Sequence, residues 1–266
     1  MEKYRRIAER AALAGGEVIA SRLGSELTVD RKQNFDFVTE VDRAAEAAVR
    51  AVLAEEAPEC GFLGEESAYL AGKTEEELLA GLSEDEYVWI VDPLDGTTNF
   101  IRGIPQFCVS VGLVRGKQPA AGAVYDVSRR EMFSAALGAG ATLNGAPIRV
   151  SRAAELKDAI LGASFPAAEI ERRGPVLRTI ERLQTELGSL RIYNSAAIML
   201  CYIACGRLDA GFERGIHSWD MAAGALLVWE AGGEVRLCDG GPWSPGAGEH
   251  LSGPAPLLDA LLPALN

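Results

Sequence analysis

The sequence predicts a mixed fold, α+β or layered α/β, and three observations predict it. Apolar residues recur at helical spacing near the N-terminus. The middle of the chain is a succession of short apolar runs separated by turn residues. The last part alternates between helical and extended segments.

Residues 3–22 read as an amphipathic helix, with Ile7, Ala11, Ala14, Val18 and Ile19 near one face. A second helix is expected from Thr39, because Val41, Ala45, Ala48, Val49, Val52 and Leu53 recur at helical spacing and Pro58 lies just beyond. Thr39-x-x-Asp42 resembles a capping box with Asp in the acidic place. Residues 87–91 form a buried strand that ends at Asp92. Strands over 107–114, 120–127 and 132–135 follow. The turn residues Gly116-Lys117 and Ser128-Arg129 between them suggest an antiparallel meander, and Asn144-Gly145 is a tight-turn signal. Residues 170–187 read as a helix, 195–205 as a buried helix ending near Gly206, and 208–212 as a short strand. Residues 219–231 form a helix stopped by Gly232-Gly233, and 234–237 a strand. With no repeat, low-complexity stretch or linker, a single domain of two closely packed halves is expected, roughly residues 1–145 and 146–266.

The chain has 266 residues, 48% of them apolar, enough for a sizeable core. Its net charge of -12 argues against a nucleic-acid binder, which needs a basic face. A small phosphate ester is still compatible, since bound metal ions reverse the local sign. No run reaches the roughly 18 apolar residues of a membrane span. Residues 1–10 are charged throughout, without an apolar signal core, so a cytoplasmic location and no membrane partner are expected. The five cysteines, an odd number without tight pairing, read as reduced thiols. Cys201 and Cys205 have helical spacing, but neither His217 nor His250 adjoins them, which disfavours a zinc site.

Three acidic clusters carry the chemistry: Gly64-Glu65-Glu66-Ser67 in a predicted loop, Asp92-Pro93-Leu94-Asp95-Gly96-Thr97-Thr98 after a strand, and Trp219-Asp220 at a helix start. Pro93 ends the regular strand, so Asp92 and Asp95 can turn towards one point with the Leu94 carbonyl between them. Two carboxylates and a carbonyl are hard oxygen ligands suited to magnesium. If Gly96-Thr97-Thr98 opens a helix, its free N–H groups suit a phosphate. Taken singly, each cluster also has an ordinary reading: a turn and helix cap for 92–98, a solvated loop for Glu65-Glu66, and a helix-dipole residue for Asp220.

Together the clusters occur in the order Asp36-x-x-Thr39-x-x-Asp42, Gly64-Glu65-Glu66-Ser67, Trp89-Ile90-Val91-Asp92-Pro93-Leu94-Asp95-Gly96-Thr97-Thr98-Asn99-Phe100, and Trp219-Asp220-Met221-Ala222-Ala223-Gly224-Ala225 running on to Gly233. That order resembles the inositol monophosphatase family, within the superfamily that includes fructose-1,6-bisphosphatase. The resemblance implies a layered α-β-α-β-α sandwich and a homodimer. It implies that Glu65, Asp92 and the Leu94 carbonyl hold one Mg2+ ion. Asp92, Asp95 and Asp220 would hold a second, with Asp92 bridging, and a third, weaker ion would sit by Glu65. Thr97, hydrogen-bonded to Asp42, would orient the attacking water together with Glu65. Inhibition by lithium is a further implication.

A phosphate monoester resists attack because its oxygens repel a nucleophile, and two close metal ions neutralise that charge. No histidine nucleophile is needed, so His217 is read as a supporting residue despite its nearness to Asp220. Gly96, Thr97, Thr98 and Asp220 would surround the phosphate. By resemblance, Asn194-Ser195-Ala196 lies near the substrate hydroxyls and Glu213 accepts hydrogen bonds from an inositol ring. Asn194 stands where glycine is usual in the family, and its side chain is expected to narrow the alcohol pocket. The Thr98-Asn99 pair looks like the inositol phosphatase branch rather than the adenosine-bisphosphate phosphatases, which tend to carry Lys-Glu there. The implied function is hydrolysis of a small phosphate ester, myo-inositol 1-phosphate above all. The same chemistry on fructose 1,6-bisphosphate, histidinol phosphate or a nucleotide 3'-phosphate is the nearest alternative. A regulatory binding protein is the alternative of another class.

Overall fold

α1 (Glu2–Ser21) turns its small and branched residues to one side, where Ile7, Ala8, Ala11, Ala12 and Ile19 are fully buried. The structure, a computed structural model, describes residues 1–33, 36–72, 74–165 and 170–265. β1 (Val29–Gln33) and β2 (Asp36–Thr39) pair antiparallel. Thr39 then caps α2 (Glu40–Glu56): its Oγ1 accepts from the Val41 N–H at 3.1 Å, while Asp42 Oδ2 accepts from the Thr39 N–H at 2.8 Å. The reciprocal cap read from the sequence therefore forms, and α2 packs along α1 through Val41, Ala45, Val49 and Leu53.

β3 (Gly61–Gly64) leads into α3 (Glu65–Leu70) and α4 (Glu75–Ala80), then β4 (Tyr87–Asp95) and the single turn α5 (Thr97–Ile101). β5 (Cys108–Arg115), β6 (Gln118–Asp126), β7 (Glu131–Ala136), β8 (Gly140–Leu143) and β9 (Ala146–Pro147) complete a seven-stranded sheet in the order β3-β4-β5-β6-β7-β8-β9. Its strands run antiparallel except β3 beside β4, so the predicted meander is present. Asn144 (φ 49°) and Gly145 (φ 80°) close the last hairpin, both in the left-handed region that such a turn requires.

A second sheet is built from β10 (Ile160–Ala163), α6 (Arg173–Leu183), β11 (Ser189–Ile192), α7 (Ala196–Ala204), β12 (Ala210–Arg214), α8 (Ser218–Glu230), β13 (Glu234–Arg236), β14 (Glu249–Gly253) and α9 (Ala255–Leu265). The strand order is β11-β10-β12-β14-β13, parallel over the first three and antiparallel after β12. Every residue of α7 is buried, and so is α8 from Ser218 to Val228 apart from Asp220. These two helices lie between the sheets. At Gly112 a Cβ would come within 2.8 Å of the Ala223 backbone nitrogen, so α8 rests directly on the β5 backbone. α1 and α2 cover the outer face of the seven-stranded sheet, and α6 and α9 the outer face of the five-stranded one. The result is the five-layer α-β-α-β-α sandwich.

Three details differ from expectation. The segment starting at Glu65 is helix, not loop. The strand expected to stop at Asp92 continues to Asp95 through an irregularity between those two residues. The helix expected over 170–187 is regular only from Arg173 to Leu183, after a short tight turn at Ile170–Arg172. Among the described residues no helix is long and apolar enough to cross a membrane.

Candidate active site

A cavity of about 670 Å³ opens between the two sheets and is lined by Glu65, Asp92, Leu94, Asp95, Gly96, Thr97, Thr98, Asn194, Ser195, Ala196, Glu213 and Asp220, among others. Every site residue proposed from the sequence borders it except Asp42, which reaches it through Thr97.

β4 carries the centre of the site. The Leu94 N–H donates to Asp92 Oδ1 at 2.9 Å, which folds the strand end over Pro93 and lets Asp92 and Asp95 converge. Gly96 follows with φ 91°, and a Cβ there would lie 2.6 Å from the Gln106 carbonyl oxygen. Only glycine fits, and the chain turns straight into α5 with Thr97 and Thr98 at the cavity.

Asp92, Asp95 and Asp220 each bring one oxygen within 4.8 Å of the others. Each also has an oxygen already committed. Asp92 Oδ1 takes the Leu94 N–H. Asp95 Oδ2 takes the Ser195 hydroxyl at 2.7 Å, the Ala197 N–H at 2.8 Å and the Cys108 thiol at 3.6 Å. Asp220, the third residue of α8, accepts the His217 N–H on Oδ2 at 2.7 Å. One oxygen per aspartate is thus fixed in place, and together the three carboxylates could hold a cation. Burial, and then the charges of Glu65, Asp95 and Asp220, push the Asp92 carboxyl well above its usual range. Burial and Asp95 do the same to Asp220, against the opposing pull of His217. Burial raises Asp95 to about 6 despite the hydrogen bonds from Ser195 and Ala197. Buried carboxylates held this close favour either protons or a metal ion.

Glu65 lines the same cavity but stands apart from that trio, with its Oε1 2.8 Å from Lys32 Nζ. Lys32 also reaches Glu66 Oε1 at 2.6 Å, and its side chain is only 6% exposed. Burial and the Glu65 charge lift the Glu66 carboxyl to about 7, with Lys32 opposing. Glu46 of α2 accepts the Glu66 and Ser67 N–H groups on Oε2, at 2.9 and 3.3 Å, and the Ser67 hydroxyl on Oε1. It thereby caps α3 from a distant helix and fixes where Glu65 begins. Neither Lys32 nor Glu46 was anticipated. Glu46 had a faint signal, an acid on the apolar stripe of α2, and Lys32 had none.

The Thr97 hydroxyl lies 3.0 Å from Asp42 Oδ1 and 3.0 Å from the Leu94 carbonyl, and has one proton to give. Asp42 is buried and braced on Oδ2 by the Thr39 N–H and hydroxyl. Burial raises its carboxyl to about 6, against those hydrogen bonds.

The second half closes the cavity. Asn194 has φ 51°, which explains why glycine suits the position and why asparagine is tolerated. Its Oδ1 accepts the Phe165 N–H at 3.3 Å, so the side chain expected to crowd the pocket is tied to the backbone of its wall. Ser195, expected near substrate hydroxyls, is buried and gives its own hydroxyl to Asp95. Asn99 Nδ2 donates to the Gln106 and Tyr193 carbonyls at 2.8 and 3.1 Å, stapling α5 to the segment before α7. His217 stacks on Trp219, with centroids 4.6 Å apart, and its Nδ1 lies 2.8 Å from Glu75 Oε2.

The family model described as the inositol monophosphatase family matches residues 1–265. A protein named Nus factor SuhB from Pseudomonas aeruginosa is 38% identical over the whole of this chain and 97% of its own length. An inositol-1-monophosphatase from Mesorhizobium japonicum is 36% identical, over 97% of this chain and 94% of its own. The solved inositol monophosphatase of Anabaena (Nostoc) superposes with a TM-score of 0.85 at 36% identity, covering 99% of this chain and 95% of that one.

Proposed function

The chain belongs to the inositol monophosphatase family, and we propose that it hydrolyses a small phosphate monoester, myo-inositol 1-phosphate before others, with two or three Mg2+ ions. One observation carries the reading: three aspartates from two distant parts of the chain converge in the cavity, each with one oxygen anchored. The donor set fits magnesium. The ligands are hard carboxylate oxygens, and burial together with their mutual repulsion raises the Asp92 and Asp220 carboxyls, a cost that a cation relieves. Asp92, Asp95 and Asp220 would hold one ion. Glu65, Asp92 and the Leu94 carbonyl would hold another, and a third would sit beside Glu65. Magnesium supplies positive charge that screens the phosphate oxygens and stabilises the departing alkoxide.

The chain's own groups do the rest. With the Leu94 carbonyl engaged elsewhere, Thr97 gives its proton to Asp42 and turns a lone pair outward to orient the attacking water. Glu65, on the wall of the same cavity, would accept that water's proton. Ser195 and Ala197 hold Asp95 still. Gly96, Thr97 and Thr98 face the phosphate, and Glu213 accepts a hydroxyl of the alcohol.

The test is a panel of phosphate esters assayed for released phosphate with magnesium and with a chelator. The expected result is metal-dependent release with the highest kcat/KM for inositol 1-phosphate. Faster cleavage of fructose 1,6-bisphosphate, histidinol phosphate or a 3'-nucleotide would overturn the substrate. No metal-dependent release from any ester would overturn the reaction. A regulatory binding role beside catalysis is a second reading, favoured by the name Nus factor that the Pseudomonas relative carries. An Asp92→Asn protein that keeps a binding activity while losing phosphate release would separate the two.

A further inference from the structure

Glu213 on β12 and His250 on β14 are directly opposite each other in the antiparallel register, so their side chains leave the sheet on the same face. Ser252, two residues along β14, shares that face. His250 and Ser252 are fully buried and Glu213 is 4% exposed, yet Glu213 borders the cavity. His250 Nε2 lies 3.5 Å from Glu213 Oε2. Both atoms are buried and, among the described residues, have no hydrogen-bond partner, an arrangement that costs stability unless something else requires it. The other ring nitrogen is occupied: Nδ1 lies 2.8 Å from Ser252 Oγ.

We propose that His250 is a positioning residue for substrate specificity, holding the Glu213 carboxylate in the orientation that reads the alcohol half of the ester. The inference rests on Glu213 being the group that accepts a substrate hydroxyl. With the Ser252 hydroxyl as the donor to Nδ1, the ring proton is left on Nε2, aimed at Glu213 Oε2. The gap is slightly longer than a hydrogen bond and closes with a small shift of the carboxylate. One Glu213 oxygen is then braced from behind, and the other accepts the hydroxyl. A carboxylate free to rotate would meet the same hydroxyl less often, and discrimination between alcohols would fall. His250 is not among the residues that line the cavity, so the effect is confined to the alcohol side that Glu213 borders.

The first measurement uses the wild-type protein. The chain has only two histidines, so nitrogen NMR of 15N-histidine-labelled protein resolves both rings. His250 is expected as the Nε2–H tautomer, with that proton shifting when inositol is added and not when glycerol is added. A ring protonated on Nδ1 alone would overturn the proposal. The second measurement compares inositol 1-phosphate with glycerol 2-phosphate, which has no ring hydroxyl to offer. His250→Val should lower kcat/KM for inositol 1-phosphate about tenfold, chiefly through KM, as expected for one hydrogen bond to a charged group. It should leave glycerol 2-phosphate and the magnesium requirement unchanged. His250→Gln, which restores an amide donor, should recover most of the loss, and His250→Val should add nothing in a Glu213→Gln background. An equal drop on both esters, or a full effect without the Glu213 carboxylate, would show that His250 only packs the sheet. If Glu213→Gln itself affects both esters alike, the failure lies in the reading of Glu213. If it is selective and His250→Val is silent, the failure lies with His250.

Discussion

Ser195 Oγ donates to Asp95 Oδ2 at 2.7 Å, joining residues 100 apart in sequence. The bond and its neighbour from the Ala197 N–H hold the Asp95 carboxyl below where burial alone would put it. Ser195→Ala removes one donor, so the carboxyl should titrate higher and resist giving up its proton to a metal. The half-saturating magnesium concentration is expected to rise by about tenfold or more, as when a ligand loses its outer hydrogen bond. The acid limb of activity should move to higher pH, while turnover at saturating magnesium stays within a few-fold. An unchanged magnesium requirement would show that Ser195 does not act through Asp95.

If the hydroxyl orients the nucleophile, as proposed, Thr97→Ala should lower kcat by roughly a hundredfold and leave KM nearly unchanged. Thr97→Ser keeps the hydroxyl that Asp42 receives at 3.0 Å and should retain most activity. A rise in KM alone would make Thr97 a phosphate contact.

The legible parts of this fold and site are those whose causes are local. Thr39 and Asp42 cap a helix within three residues of each other, and the Asp92 to Thr98 turn is specified by its own Pro93 and Gly96. The meander is punctuated by its own turns. What was missed depends on distant partners. The helix at Glu65 begins with Gly64 and has no local cap; Glu46 supplies it from α2, and so the segment reads as loop. Lys32 looks like an exposed hairpin residue until the fold closes it over Glu65 and Glu66. β10 and β11 are four residues each, too short for a pattern, and are ordered by the sheet around them. α9 carried apolar spacing at Leu257, Leu258, Leu261 and Leu265, masked by Pro263 within it.

Asp92→Asn should separate activity from stability. Activity is expected to fall by at least roughly a hundredfold, as when a metal-activated nucleophile is lost. Stability should move the other way in the absence of metal. The folded-state carboxyl is pushed well above 3.8, so its ionisation destabilises the fold progressively as pH rises through that raised value. Asparagine keeps the oxygen that accepts the Leu94 N–H and carries no charge. In EDTA at neutral pH the variant should melt above wild type. Magnesium should raise the wild-type melting temperature and leave that of the variant nearly unchanged. A variant that melts lower in EDTA would mean that the aspartates do not strain the metal-free fold.

The last prediction concerns the contact between α4 and the start of α8. Glu75 Oε2 lies 2.8 Å from His217 Nδ1, and Glu75 Oε1 accepts the Ser218 N–H at 2.6 Å. Burial pulls the His217 pKa down, but the Glu75 hydrogen bond and the charges of Asp220, Glu75 and Glu65 outweigh it and raise it to about 9. Glu75 moves down from 4.5: burial raises it, and the bonds from His217 and Ser218 overcome that. A histidine whose folded pKa lies above its unfolded value of 6.5 stabilises the fold fully below that value and loses the contribution as pH rises through about 9. The Glu75 contribution is present above 4.5 and is lost as pH falls. Both therefore act together between 4.5 and 6.5. The ring is partly exposed, at 44%, so screening keeps the effect modest. Melting curves of wild type and Glu75→Gln in EDTA should differ most near the upper end of that window. The difference should shrink as pH rises above 6.5 and be gone once it passes about 9. A constant gap from neutral to strongly basic pH would mean that Glu75 holds Ser218 and the neutral ring by geometry alone, without an ion pair.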